Sequence, residues 1–253
     1  MVRKRLIQIV VSISVLLVAL IVFSPIVITI YLSFAEGGRT YVEFFIWEPV
    51  YLRSLIISLF IAIVSTFGAI VLSVFAAFVF AKINFGASKI LLFIYVVVML
   101  MPFQVTMLPQ YLMTKSLNLY DNVFAIILPF IFSPLAVFFL TQSFKTFPTE
   151  IIEAAYLDTS SLIVILTRVI LPATRPSIIC MGVLMFTESW NVVAEPLILV
   201  EEINYPLSVI INQISANDIL ALASTVIFFI PPCLLFSIFE SEIMNGIGEC
   251  KLK

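Results

Sequence analysis

Long apolar blocks alternate with short polar breaks along this chain, and the blocks lack the every-second-residue alternation of a membrane-barrel strand. A helix needs about 20 predominantly apolar residues to cross a bilayer core. The blocks at about 6–34, 51–81, 90–113, 123–144, 172–196 and 219–239 meet that length and predict six transmembrane helices. Inside lipid every backbone polar group must be paired within its own segment, which leaves helices as the remaining choice for such runs. Several blocks contain proline: Pro25 in the first, Pro102 and Pro109 in the third, Pro129 and Pro134 in the fourth, Pro231 and Pro232 in the sixth. Neighbouring helices and side chains can satisfy the carbonyls these prolines free. In the second block Ser58, Ala62, Ser65, Gly68, Ala69, Ser73 and Ala77 recur at helical spacing, a stripe that allows close helix packing. The expected fold class is an all-α polytopic membrane protein, a single transmembrane domain over 1–253. It has a longer polar break at 145–170 and a tail at 240–253.

Composition agrees with this pattern. The 253 residues are 62% hydrophobic and 11% charged, with mean hydropathy +1.22, which is more apolar surface than one soluble core could hide. A net charge of −2, with no polybasic tract beyond Arg3, Lys4 and Arg5, gives no ground for a nucleic-acid partner. Histidine is absent, which removes the usual metal ligand and the usual proton carrier near neutral pH. Cys180, Cys233 and Cys250 are widely spaced, in or beside apolar runs, and read as packing residues. No catalytic, cofactor-binding or metal-binding set is expected. The run after Arg5 is too long for a signal-peptide core and reads as a first membrane helix.

Basic residues set the orientation. With the amino terminus inside, the inner segments hold Arg3, Lys4, Arg5, Lys82, Lys89, Lys145, Arg168, Arg175, Lys251 and Lys253, and the outer ones only Arg39, Arg53 and Lys115. Both termini are therefore expected in the cytoplasm of a multi-pass protein. The segment 197–218 carries Glu201, Glu202 and Asp218 but no Lys or Arg, as an exported loop can.

The break after the fourth block reads Pro148-Thr-Glu-Ile-Ile-Glu153-Ala154-Ala155-Tyr-Leu-Asp158-Thr159 and continues to Arg168-Val169-Ile170-Leu171-Pro172. Pro148 suits the first turn of a helix, and Glu150 and Glu153 lie near its amino end, where the helix dipole favours anions. Ile151, Ile152 and Ala155 offer a small apolar surface. Ala154 and Ala155 let another backbone approach, Glu153 can meet a partner's cation, and Pro172 is expected to end the element. Such a helix can dock.

This stretch resembles the EAA loop of ATP-binding-cassette importer permeases, in which Glu-Ala-Ala is followed at fixed spacing by Gly and then by Ile-x-Leu-Pro. Thr159 stands at the glycine position and Val169 at the isoleucine. A β-branched Thr cannot take positive φ cheaply, so either the turn is made differently or this half of the transporter couples less conventionally. The resemblance extends over roughly residues 50–253. Met101-Pro-Phe-Gln104, Leu108-Pro-Gln-Tyr111, Ser116-Leu-Asn-Leu-Tyr-Asp-Asn122, Ser189-Trp190-Asn191 and Glu195-Pro196-Leu197 are similar to carbohydrate permeases of the maltose-transporter G type. Asn245-Gly-Ile-Gly-Glu-Cys-Lys251 matches that family's glycine-rich tail, with Glu249-Cys250 where small residues are usual, and the first outer loop is short for the family.

The resemblance implies a type I importer fold in a bacterial cytoplasmic membrane, importing a sugar or oligosaccharide, or another solute such as glycerol phosphate. It implies as partners a second homologous permease, two ABC ATPase subunits that bind ATP and Mg, and an extracytoplasmic solute-binding protein. Lipid surrounds it. Glu153, Ala154, Ala155, Asp158, Thr159, Leu171 and Pro172 are then the ATPase-coupling residues, and the tail is placed within reach of the ATPase pair. None of the seven glycines precedes a Lys-Ser or Lys-Thr pair, so no phosphate-cradling loop is present and ATP hydrolysis belongs elsewhere.

Glu188, Trp190 and Asn191 fall in the outer half of the fifth block, where an ionisable group facing lipid costs about 2.5–3.5 kcal/mol. They either line a solute path, as amide, carboxylate and aromatic groups suit a sugar, or form an interhelical hydrogen bond beside an interfacial tryptophan. Gln104 and Thr106, after Pro102, are a further pathway candidate, against a simple bend. An ion-coupled secondary transporter would need several buried ionisable groups, and an intramembrane enzyme would need a clustered nucleophile, base or metal set. Apart from Glu188 the blocks offer almost none.

Overall fold

The structure, a computed structural model, describes residues 2–35, 37–83, 85–214 and 219–250, and among these no residue is in a strand. Asp218, Lys251 and Lys253 of the charge count above lie outside the described residues. Among the described residues, four helices are long and apolar enough to cross a membrane: Val11–Ser33, Pro49–Lys82, Phe124–Thr146 and Ile219–Ile238. Two further candidates are bent pairs, Ser88–Met99 with Phe103–Ser116 at 99° and Leu162–Ala173 with Arg175–Trp190 at 81°. Up to six spans result if each bent pair is one crossing.

Proline chemistry explains most of the boundaries. Pro102 caps the second half of the first bent pair in an extended conformation, whereas Pro109 sits inside that half without ending it. Ser133 interrupts the Phe124–Thr146 segment and restarts it, its Oγ accepting the Ala136 N–H at 3.2 Å while Pro134 takes the first helical position. Pro231 and Pro232 are carried inside Ile219–Ile238. The fifth span departs from the sequence expectation at both ends. It is helical from Leu162, well before Pro172, and stops at Trp190 rather than near Pro196, with Asn191 donating its side-chain amide to the Thr187 carbonyl at 2.7 Å.

The chain divides into two compact units. The first comprises residues 1–53 and 211–230. In it Gly37 and Gly38 turn the chain at φ 64° and 83°, a conformation that favours glycine. Ser33 and Tyr41 then share a 2.7 Å hydrogen bond, and Phe44, fully buried, packs on Phe45 and Tyr51.

The second unit comprises residues 54–210 and 231–253 and holds two apolar clusters. One gathers Ala69, Val74, Ala77 and Phe78 with Leu140, Phe144, Ile152, Ile165, Ile170, Met181 and Met185. The other gathers Ile61 with Ala125, Ile126, Ile127, Val192, Leu199, Val200, Tyr205 and Val209. Pro49–Lys82 and Phe124–Thr146 run through both. The small-residue stripe of Pro49–Lys82 is its buried seam: Ser58, Ala62, Ser65, Ala69, Ser73 and Ala77 are each at most 1% exposed. The Ser65 and Ser73 hydroxyls have no hydrogen-bond partner, so these serines act here by being small.

Glu240–Cys250, the tail, is a helix packed on Arg175–Trp190 and Pro134–Thr146. Gly246 makes the approach possible, since a Cβ there would lie 2.8 Å from the Pro176 carbonyl oxygen and 2.9 Å from the Cys180 Cβ. A backbone carbonyl cannot step aside cheaply. Gly246→Val is therefore expected to cost about 1–3 kcal/mol of overpacking strain. It should lift the tail, read as faster proteolysis within 240–250 in detergent-solubilised protein while the span fragments stay intact.

Candidate coupling helix and its surroundings

Phe147 and Pro148 are both extended (ψ 129° and 130°), as the residue before a proline prefers, and they swing the chain from Pro134–Thr146 into a new helix, Thr149–Asp158. Glu150 lies in its first turn, beside the unpaired N–H groups. Its two faces differ sharply. Ile152 is 4% exposed and, with half-buried Ala155, packs into the cluster that contains Phe78, Ala81, Phe144 and Phe147. Glu150, Ile151, Glu153, Ala154, Leu157 and Asp158 are exposed, Leu157 at 90%. The apolar surface expected from Ile151, Ile152 and Ala155 is thus split, with Ile152 and Ala155 anchoring inward and Ile151 facing out.

Thr159 ends the helix at φ −153°, ψ 139°, extended backbone that a β-branched residue favours. Its N–H bonds the Ala155 carbonyl at 3.0 Å and its Oγ1 accepts the Ser161 N–H at 3.2 Å. The turn is made without positive φ, and Thr fits it better than Gly would.

Leu162–Ala173 follows, and it ends one residue after Pro172, close to where the sequence places its end. A proline has no N–H for the carbonyl four residues back, and its ring crowds that carbonyl. The chain widens just before it into a π-helical turn over Leu166–Ile170, where the Leu171 N–H reaches the Leu166 carbonyl. The bend comes at Thr174, whose N–H and Oγ1 both bond the Ile170 carbonyl, at 2.9 and 2.8 Å. Leu171 packs against the same cluster as Ala155, so the two ends of the motif meet one core. Pro172 is exposed.

The other candidates are dispersed. Trp190 is fully buried and stacks on Phe186 (centroids 5.7 Å apart, 13°), leaving no open ring face in this chain. Glu188 is exposed, Asn191 caps the helix as described, and Gln104 is exposed at the start of Phe103–Ser116, where Thr106 bonds back to the Phe103 carbonyl at 3.0 Å.

A family model described as the binding-protein-dependent transport system inner membrane component matches residues 69–241. The chain belongs to this family. This permease is 28% identical over 217 residues to the arabinooligosaccharide transport permease AraQ of Bacillus subtilis, covering 84% of this chain and 74% of that one. It is 22% identical over 204 residues to the sn-glycerol-3-phosphate transport permease UgpE of Shigella flexneri, covering 78% and 73%. Its fold is that of a chain in the crystal structure of a bacterial ABC transporter for import of the acidic polysaccharide alginate. That match has a TM-score of 0.82 at 19% identity over 94% of this chain and 96% of that one.

Two features of the permease escaped the sequence reading. One is Leu157, a large apolar side chain 90% exposed between Glu153 and Asp158, whose only signal was its spacing three after Ala154. The other is a clamp between 117–122 and 199–205, where Asp121, at φ 60°, accepts the Glu201 N–H and the Asn204 amide on Oδ1, each at 2.9 Å. Thr159→Gly is expected to destabilise the helix end by about 0.5–1 kcal/mol, through backbone entropy and the lost Oγ1 acceptor. Faster amide exchange over 155–161 than in the parent checks this.

Proposed function

We propose that this permease is the non-catalytic membrane subunit of an ATP-driven importer, moving a sugar or oligosaccharide across the cytoplasmic membrane by alternating access. The observation that carries the reading is the two-faced helix Thr149–Asp158. Ile152 and Ala155 hold it to the core of the second unit, while Glu150, Glu153, Ala154, Leu157 and Asp158 stand in solvent. A lone helix tethered in this way is a handle. A cytoplasmic ATPase grips the exposed face, with Leu157 entering an apolar recess and Glu153 meeting a cation at its edge, and closure of the ATPase pair on ATP pulls the helix and rocks the spans.

Both termini lie in the cytoplasm, as the excess of basic residues on that side supports. A second permease, two ATPase subunits and a solute-binding protein complete the machine. The sugar assignment is supported by the arabinooligosaccharide permease among its relatives. The glycerol-phosphate permease supports a second reading, a small anionic solute.

Glu153→Lys is expected to abolish stimulation of ATP hydrolysis by solute-loaded binding protein in the reconstituted complex while assembly is partly retained. Unaltered stimulation would count against the role of the helix. A cysteine introduced by Ala154→Cys is likewise expected to crosslink to the ATPase, and labelling of that position from the outer face would overturn the topology.

A further inference from the structure

The root of the coupling helix is held from a distant part of the chain. Phe147 closes Pro134–Thr146, and its carbonyl belongs to the end groups that a helix cannot pair by itself. Pro148 follows, so the chain is extended there and cannot curl back to supply a donor. The donor is Lys82, the last residue of Pro49–Lys82, whose Nζ donates to the Phe147 carbonyl at 2.9 Å and stands 5.8 Å from the Phe147 ring centroid. A charge-assisted bond of this kind is among the stronger ones.

The same helix is pinned again far along its length, where the Ser58 Oγ accepts the Leu207 N–H at 2.8 Å in buried surroundings. Ser58 and Lys82 stand about 36 Å apart along the axis at helical rise. Between these pins the helix contributes Ile61 to one apolar cluster and Ala69, Val74, Ala77 and Phe78 to the other. Leu207 follows directly on the loop that Asp121 clamps.

We infer that Lys82 is a positioning residue of the transport cycle. Its ammonium fastens the root of Thr149–Asp158 to the end of Pro49–Lys82, so that a displacement of the coupling helix is delivered along that helix to the segment at 199–207. The inference rests on the coupling reading of Thr149–Asp158 and adds the route by which its motion leaves. The hydrogen bond adds to the apolar contacts one directed link at the helix root, which a single substitution can remove.

The test uses the complete complex in lipid nanodiscs, with a spin label on Ile203→Cys, an exposed position beside the clamp, in a background lacking Cys180, Cys233 and Cys250. The readout is the change in label mobility between the nucleotide-free and the ATP-plus-vanadate trapped states, so no transported solute is required. Lys82→Met keeps the apolar stem and removes the donor. It is expected to reduce the change at Ile203 about tenfold, the scale of a typical coupling free energy. Lys82→Arg, which can still donate to the carbonyl, is expected to restore most of the change. Phe147→Leu, which keeps the carbonyl and loses the ring, is expected to retain it.

A full-sized change in Lys82→Met overturns the inference. So does a Lys82→Arg variant as defective as Lys82→Met, or a Phe147→Leu variant that loses the change. Failure of Ala154→Cys to crosslink to the ATPase in the otherwise unaltered complex sinks the coupling reading itself, an outcome that the Lys82 series cannot mimic.

Discussion

The second unit depends on one constraint, the close approach that a seam of small residues allows along Pro49–Lys82. Lipid tails are as apolar as leucine, so helices in a membrane gain little from mere greasiness. They associate where their backbones can come near enough for many weak contacts. Ala62, Ala69 and Ala77 provide that nearness, with Ser58, Ser65 and Ser73 between them. Both apolar clusters then assemble against this one helix. A leucine at any of these positions would hold the neighbouring helices off, and neither cluster could close to the density of a protein interior.

On that scaffold the Glu153-Ala154-Ala155 to Leu171-Pro172 motif gains a physical meaning that its spacing alone does not express. Ala155 and Leu171 are far apart in the chain yet rest against one cluster, because the extended residue Thr159 and the π-helical turn at Leu166–Ile170 fold the connecting chain back. The alanines of the motif also play separate parts. Ala155 faces the permease's own core, and Ala154 faces outward. Gly246 repeats the device at the tail, where the absence of a side chain lets Glu240–Cys250 lie against the start of Arg175–Trp190.

Much of this was legible in the order of residues. Apolar block length located the spans, because the bilayer sets a length requirement that composition either meets or fails. The helix Thr149–Asp158 was visible because Pro148, Glu150 and Glu153 form an amino-terminal signature that is local. What could not be read were directions. Hydropathy carries no angle, so the bends after Met99 and at Thr174 were hidden, and a proline marks a site of weakness without saying whether the helix breaks there, as at Pro102, or continues, as at Pro109. The inward face of Thr149–Asp158 was hidden for a related reason. Its apolar residues Ile151, Ile152, Ala155 and Leu157 point to several sides, and only the surrounding core selects Ile152 and Ala155. Trp190 shows the same limit, since an aromatic beside Asn191 suits a sugar platform and a packing stack equally until Phe186 is seen against it.

The other three unbroken span candidates contain prolines, Pro25, Pro129 with Pro134, and Pro231 with Pro232, whereas Pro49–Lys82 carries its proline only at its first position. A rod without such joints bends little under load. A push applied at Lys82 would therefore arrive near Ser58 with little elastic loss.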